Sequence, residues 1–317
     1  MKKDAVKKHA VRNASRIAAI FLLLIAAVPL PSGAQPGQGA APAPPRALIV
    51  VAHADDESCF SVTTYEITHN LGGTVDQLLI TDGGGGYRYS LLAEPYYHAS
   101  LTDEAVGRAK LPEIRKQEAL NAGKILGISN HFFLDEKDLR YTQDVDEVLN
   151  QHWHAAAVLA EVTQRLEDGN YGFVLALFPT ADTHGAHKAA TLTAMNAVEK
   201  MQGDRPVVLG CQDRSSKDDK PLDWSGFKSQ AHPFSVGPER YTVDRAVKFG
   251  PDNALSYQII ANWVIAEHKS QGAFQAAMNA FDQEDFAILE TATPSAAAKA
   301  DDLFHRLAAT AAHPSSH

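Results

Sequence analysis

Two short stretches of the chain hold residues whose types and spacing could do chemistry. In "VVAHADDES" (50–58) an apolar run ends in His53, followed by Asp55, Asp56 and Glu57, and in "HGAH" His184 and His187 stand three apart. Histidine and carboxylate are the donors of a catalytic zinc site, which takes three protein ligands and keeps one position open. His53, one adjacent acid and one histidine of the second stretch would complete such a set. The remaining carboxylate could then take a proton from an attacking water, and the remaining histidine could stabilise or protonate the group under attack. Each stretch also has a plainer reading. Asp55 and Asp56 suit the N-terminus of a helix. Close histidine pairs recur in a chain with 14 histidines, as in "HWH" at 152–154.

The elements that must position these residues alternate. "ALIVV" (47–51), "VDQLLIT" (75–81), "HFFL" (131–134), "YGFVLALF" (171–178) and "PVVLGC" (206–211) read as short buried strands. Segments of helical period lie between them: about 57–70, 111–128, 152–168 and 187–201. Apolar strands alternating with helices predict an α/β fold, a Rossmann-like three-layer sandwich around a mostly parallel sheet. Four of the strands run into polar loops, "HADDE", "TDGGGG", "LDEKD" and "PTADTHGAH". Ligands of open α/β sheets bind at the carboxyl ends of strands, so these loops meet at one edge. Residues 212–250 are polar and lack periodicity, and read as an excursion near the entrance or a plain surface loop. Residues 254–274 read as one long helix, and a further helix is expected in the Ala-rich segment after Thr293.

The termini differ in character. "MKKDAVKKHAVRNASR" is basic and "IAAIFLLLIAAVPL" is an apolar run of 14, shorter than the ~20 residues a spanning helix needs. Small residues follow, so residues 1–34 read as a secretory signal peptide cleaved after Ala34, leaving a periplasmic or secreted protein without stable membrane association. Residues 35–46 read as a Pro/Ala-rich linker, 47–292 as the catalytic domain and 293–317 as an Ala-rich tail. Cleavage removes six basic residues and one acid, moving the formal charge from −9 to −14 and arguing against nucleic acid as a partner. Cys59 and Cys211 could form a disulfide or serve as small buried hydrophobes. Nothing in the sequence sets an oligomeric state.

Other chemistries lack their motifs. There is no GxSxG, HExxH or GxxxxGK[ST], and "HADDE" stands where a dinucleotide site would need GxGxxG.

Taken in order, "AHADDE", "TDGGGG", "IRKQE", "HGAH" and "HKSQ" resemble the PIG-L/LmbE family of metal-dependent N-acetylglucosaminyl de-N-acetylases, over roughly residues 47–275. The resemblance implies Zn2+ held by His53, Asp56 and His187, with Fe2+ also suited to such a triad. It implies Asp55 as general base and His184 as oxyanion stabiliser or proton donor to the leaving amine. The expected partner is an amino-sugar or glycan substrate, from which an N-acetyl group is removed. An amidase acting on another sugar-linked amide, of cysteine-conjugate type, and a non-catalytic glycan-binding protein are the alternatives.

Two positions depart from the family pattern. Ala54 replaces a usual proline, and "HGAH" lacks the Pro-Asp that would orient His184, for which Asp182 is a substitute. Arg115 and Glu118 fit an RxxE pattern, near the substrate or as helix support, or on an ordinary exposed helix face. His268 and Gln271 read as polar residues satisfying each other at a helix surface. Tyr87, Tyr89, Tyr96 and Tyr97 could stack on a sugar ring or pack within their loop.

Overall fold

Strand β1 (Arg46–Val51) shows the logic of the architecture, because its alternate residues enter two different cores. Ala47, Ile49 and Val51 face one apolar cluster, while Leu48 and Val50 face the other. A strand buried on both faces reads as a continuous apolar run, as this one does. A computed structural model describes residues 42–139 and 141–311. The expected signal peptide, most of the linker and the last six residues lie outside these.

In chain order the elements used below are β1, α1 (Ser61–Tyr65), β2 (Thr74–Thr81), α2 (Glu104–Leu126), β3 (Ile128–Glu136) and α3 (Ala155–Gly169). They continue with β4 (Phe173–Leu177), α4 (Gly185–Lys200), β5 (Val207–Arg214), β6 (Ser235–Asp244), α5 (Gln258–Glu267), β7 (Gln283–Glu290) and α6 (Ala296–Ala311). The sheet has seven strands in the order β3-β2-β1-β4-β5-β7-β6. Strands β1 to β5 are parallel, and β7 runs antiparallel to both its neighbours. One layer holds α2, α5 and α6, through residues such as Ala119, Val264 and Leu303; the opposite layer holds α3 and α4, through Val162 and Ala189. The fold is the α/β three-layer sandwich expected.

Three local readings are corrected. The helix expected over 57–70 is broken into a 3-10 turn (Asp56–Phe60), the short α1 and a π turn (Glu66–Asn70). Thr64 and Thr68 donate their hydroxyls back to the carbonyls of Phe60 and Thr64, which competes with a regular ladder. The polar excursion after β5 contains β6, the sheet's edge strand. The long helix expected over 254–274 stops at Glu267, and His268 to Gln271 form a buried break before a short helix at Gly272–Gln275. Among the described residues no helix is long and apolar enough to cross a membrane.

Candidate metal centre

The loop after β1 is shaped by its own acid. Asp56 Oδ2 accepts the backbone N–H groups of Ala52 (3.1 Å) and His53 (2.9 Å), folding the loop back with Ala54 at its turn. Those two bonds aim Oδ1 away from the strand. It lies 3.2 Å from His187 Nε2 and 3.8 Å from His53 Nδ1, and the two imidazole nitrogens are 2.8 Å apart. Bonds of about 2.0–2.1 Å to a tetrahedral ion place its ligands about 3.3 Å from one another. The three atoms therefore span a triangle of the size a zinc ion needs. His187 reaches it from the first turn of α4, and His184 sits at that helix's N-cap.

His184 also belongs to the cluster: one nitrogen from each of His53, His184 and His187 lies within 4.8 Å of the others. Two ligand triads are thus geometrically open, one with Asp56 and one with His184. The first fits better, since Asp56 Oδ1 already sits at ligand spacing and its other oxygen is locked by backbone. His184 Nε2 is buried and unpartnered among the described residues, and Tyr141 stacks on its ring at 4.8 Å. No hydrogen bond joins Asp182 to His184 among the described residues, so the expected substitute does not orient it.

The electrostatics favour a cation here. Burial works against charge on His53, but Asp138 and Asp56 overcome it and push the imidazole up to about 10. Burial opposes the charge of Asp56 as well, yet His187 and His53 hold its carboxyl well below the usual range. Burial first, then the neighbouring His53 and His187, push His184 down to about 4. Sequence reasoning missed Asp138, whose Oδ2 lies 3.7 Å from His53 Nε2, across the ring from the triangle. A carboxylate on the far nitrogen of a ligand histidine fixes its orientation and raises its basicity. The signal was the polar loop "LDEKD" after β3, but nothing in it marks which acid reaches back.

Arg115 and Glu118 are buried on α2, which corrects the reading of an exposed helix face. Arg115 Nη2 donates to Asp55 Oδ1 at 2.7 Å and Nη1 to the Gly83 carbonyl at 3.0 Å. The glycine run makes this approach possible. Gly83 has φ +65°, where its Cβ would stand 2.9 Å from Arg115, and a Cβ on Gly86 would stand 2.8 Å from the guanidinium. Glu118 accepts the Tyr97 hydroxyl (2.6 Å) and both the N–H (2.8 Å) and hydroxyl (2.7 Å) of Ser270. Glu57 and His268 are fully buried and share a 2.6 Å hydrogen bond. His268 and Ser270 of "HKSQ" are therefore interior ties between the loop, α2 and the end of α5, rather than a helix surface.

Asp55, the cluster and Asp138 line one end of a cavity of about 910 Å³. Tyr87, Tyr89, Tyr141, Phe274, Ala277 and Phe281 also line it. Of the four tyrosines singled out, Tyr87 and Tyr89 line the cavity, Tyr97 is tied to Glu118, and Tyr96 is exposed outside the lining. Asp213, at the end of β5, is a further lining carboxylate that sequence reading missed. Cys59 and Cys211 are buried free thiols, and Cys211 Sγ donates to the Cys59 carbonyl at 3.3 Å.

Residues 48–198 match the family model described as PIG-L, GlcNAc-PI de-N-acetylase, so β5 and everything after it lie beyond the match. No curated protein matches the chain. Among solved structures, the deacetylase of the A40926 pseudoaglycone is 17% identical, with 78% of this chain and 98% of that chain covered and a TM-score of 0.50. The N,N'-diacetylchitobiose deacetylase of Pyrococcus horikoshii is 16% identical, covering 79% of this chain and 87% of that one, with a TM-score of 0.49. A 4-carboxy-2-hydroxymuconate hydratase of Pseudomonas putida is also 16% identical, covering 79% and 99%, with a TM-score of 0.49. At such identities the likeness is one of fold. The family match is what relates the chain to known proteins: residues 48–198, just under half of the chain, are similar to the PIG-L family.

Proposed function

We propose that the protein is an exported, zinc-dependent hydrolase that removes an N-acetyl group from an N-acetylglucosamine-containing substrate. The observation that carries this reading is the triangle of His53 Nδ1, Asp56 Oδ1 and His187 Nε2, with edges of 2.8, 3.2 and 3.8 Å, opening on a cavity beside a held carboxylate. Two imidazoles and a carboxylate suit Zn2+ and also Fe2+. The amino-sugar substrate follows from the name of the matched family.

His53, Asp56 and His187 would hold a divalent ion, which would supply Lewis acidity for attack of water on the amide carbonyl. In this reading Asp55 acts as the base. Arg115 holds its Oδ1, which turns the carboxylate toward the cavity and leaves Oδ2 to accept the water's proton. The same proton can then pass from Asp55 to the departing amine nitrogen, so the C–N bond breaks without release of an amide anion. His184, neutral at pH 7 because of its burial and its histidine neighbours, is suited to donate a hydrogen bond to the oxyanion rather than a proton to the amine. Asp138 keeps His53 in position.

The test is acetate release by the zinc-loaded mature protein from a series running from N-acetylglucosamine to peptidoglycan-type oligomers. Asp55→Asn should bind zinc like the wild type and lose about 10²–10⁴-fold in turnover. Zinc binding without release from any member would move the assignment to another sugar-linked amide or to a glycan-binding protein. Export rests on the character of residues 1–34; a secreted or periplasmic product beginning at Gln35 by mass spectrometry checks it.

A further inference from the structure

The loop that carries His53, Asp55 and Asp56 runs into a broken helix, and a break leaves backbone groups that must find partners. Phe60, at φ −130° and ψ 34°, separates the 3-10 turn from α1, and no side chain within that segment caps either piece. The partners come from far along the chain. Arg245 Nη2 donates to the carbonyls of Ser58 (2.8 Å) and Cys59 (3.1 Å), the last turn before the break. Glu284 accepts the N–H groups of Val62 (2.8 Å) and Thr63 (2.9 Å) and the Thr63 hydroxyl (2.7 Å), the first turn after it. The two side chains also bond each other, Arg245 Nε to Glu284 Oε1 at 3.0 Å, and both are essentially fully buried.

One ion pair thus satisfies both sides of the break. Its own backbone is anchored: the Arg245 N–H donates to the Asp282 carbonyl, and the Arg245 carbonyl accepts from Gln258, the first residue of α5. Glu284 lies within β7, between two ladder neighbours. Neither residue belongs to the matched segment 48–198.

We propose that Arg245 and Glu284 are a positioning pair for the metal centre, fixing from the C-terminal strands the loop that presents His53, Asp55 and Asp56. Ser58 is two residues from Asp56, so displacement of its carbonyl is passed directly to a ligand whose spacing to His187 is 3.2 Å. A guanidinium is needed because it bridges two carbonyls and a carboxylate at once; an ammonium is a point donor. The inference rests on the metal reading above.

Arg245→Lys and Glu284→Gln test it, with Thr63→Val as a mild variant that removes a single bond to Glu284. Leu166→Ala, in the core behind the opposite face of the sheet, is the control for general loss of stability. In the metal-free mature proteins, amide exchange over residues 52–58 should rise about ten-fold or more in the first two variants, while β2 and β3 keep their protection. Zinc affinity, measured by chelator competition, should weaken by about ten-fold or more, as expected when the support of a ligand is lost. Thr63→Val should move both readouts less and in the same direction, and Leu166→Ala neither. Unchanged exchange over 52–58 would overturn the proposal. So would faster exchange with zinc affinity within about two-fold of wild type, which would make the pair a structural brace only. If the wild type itself binds no zinc, the zinc reading falls, while the exchange data still decide whether the pair fixes the loop.

Discussion

Glu66 is a carboxylic acid placed where its charge is costly. It lies in the π turn after α1, is 1% exposed, and neither carboxyl oxygen has a hydrogen-bond partner among the described residues. Burial, and then the nearby charge of Glu284, push its carboxyl from the usual 4.5 up to about 8. A folded-state value above the unfolded one means that stability is fully present below about pH 4.5 and is lost as pH rises toward about 8. The loss accrues at about 1.4 kcal/mol per pH unit and sums to roughly 4–5 kcal/mol. That is a large share of the roughly 5–15 kcal/mol a domain has. Glu66→Gln removes the titrating group and keeps the shape. Urea unfolding of both proteins at intervals from about pH 5 to about pH 8 gives the two curves, and their difference cancels every other titrating group. The variant should match the wild type at the acid end and exceed it by several kcal/mol at the alkaline end. Parallel curves would show that Glu66 keeps an ordinary acidity, and the argument from its unpartnered burial would fail.

Other predictions concern the site. Arg115→Met should lower kcat by about ten-fold or more with little change in KM, because it frees Asp55 without touching the proposed ligands; a pure KM effect in steady-state kinetics would make Arg115 a substrate contact instead. Asp56→Asn should lose bound metal, measured as zinc per protein after dialysis, while the fold persists by circular dichroism; retention of stoichiometric zinc would favour the triad of three histidines. Gly86→Ala should displace the Arg115 guanidinium and Gln271, costing about 1–3 kcal/mol in thermal stability together with activity; a neutral result would show that the neighbours yield easily.

Much of the parallel half of the sheet could be read directly, because β1 and β4 are apolar on both faces, β2 and β5 carry short continuous apolar runs, and polar loops follow the strands. That placement alone brings His53, Asp55, Asp56, His184 and His187 to one edge. What escaped were elements whose burial depends on pairing. Strand β7, "QEDFAILE", opens with polar residues that look like surface; Glu284 is buried because Arg245 neutralises it, and Asp285 because Arg214 bonds it at 2.6 Å. Strand β6 contains Gly237 and Pro238, and its ladder with β7 slips between Val236 and Arg240, so its alternation is lost. His268 looked like a helix-surface residue because its partner, Glu57, lies 211 positions away. Periodicity reports local burial and is blind to such partners.

The strand order carries a consequence for how the chain acquires its structure. Strand β6 precedes β7 in the chain, yet among the described residues its one partner in the sheet is β7, which separates it from β5. Until β7 is in place, β5 presents an open edge and β6 lacks the strand it pairs with in the described sheet. The sheet closes by insertion of its last strand between two waiting ones, a pairing of high sequence separation and so a slow step. Glu284 arrives with that strand, and Arg245 gains its partner at the same moment. The loop that carries His53, Asp55 and Asp56 therefore gains its contacts with Arg245 and Glu284 only once that strand has joined the sheet, so an early segment of the fold is completed by a late one.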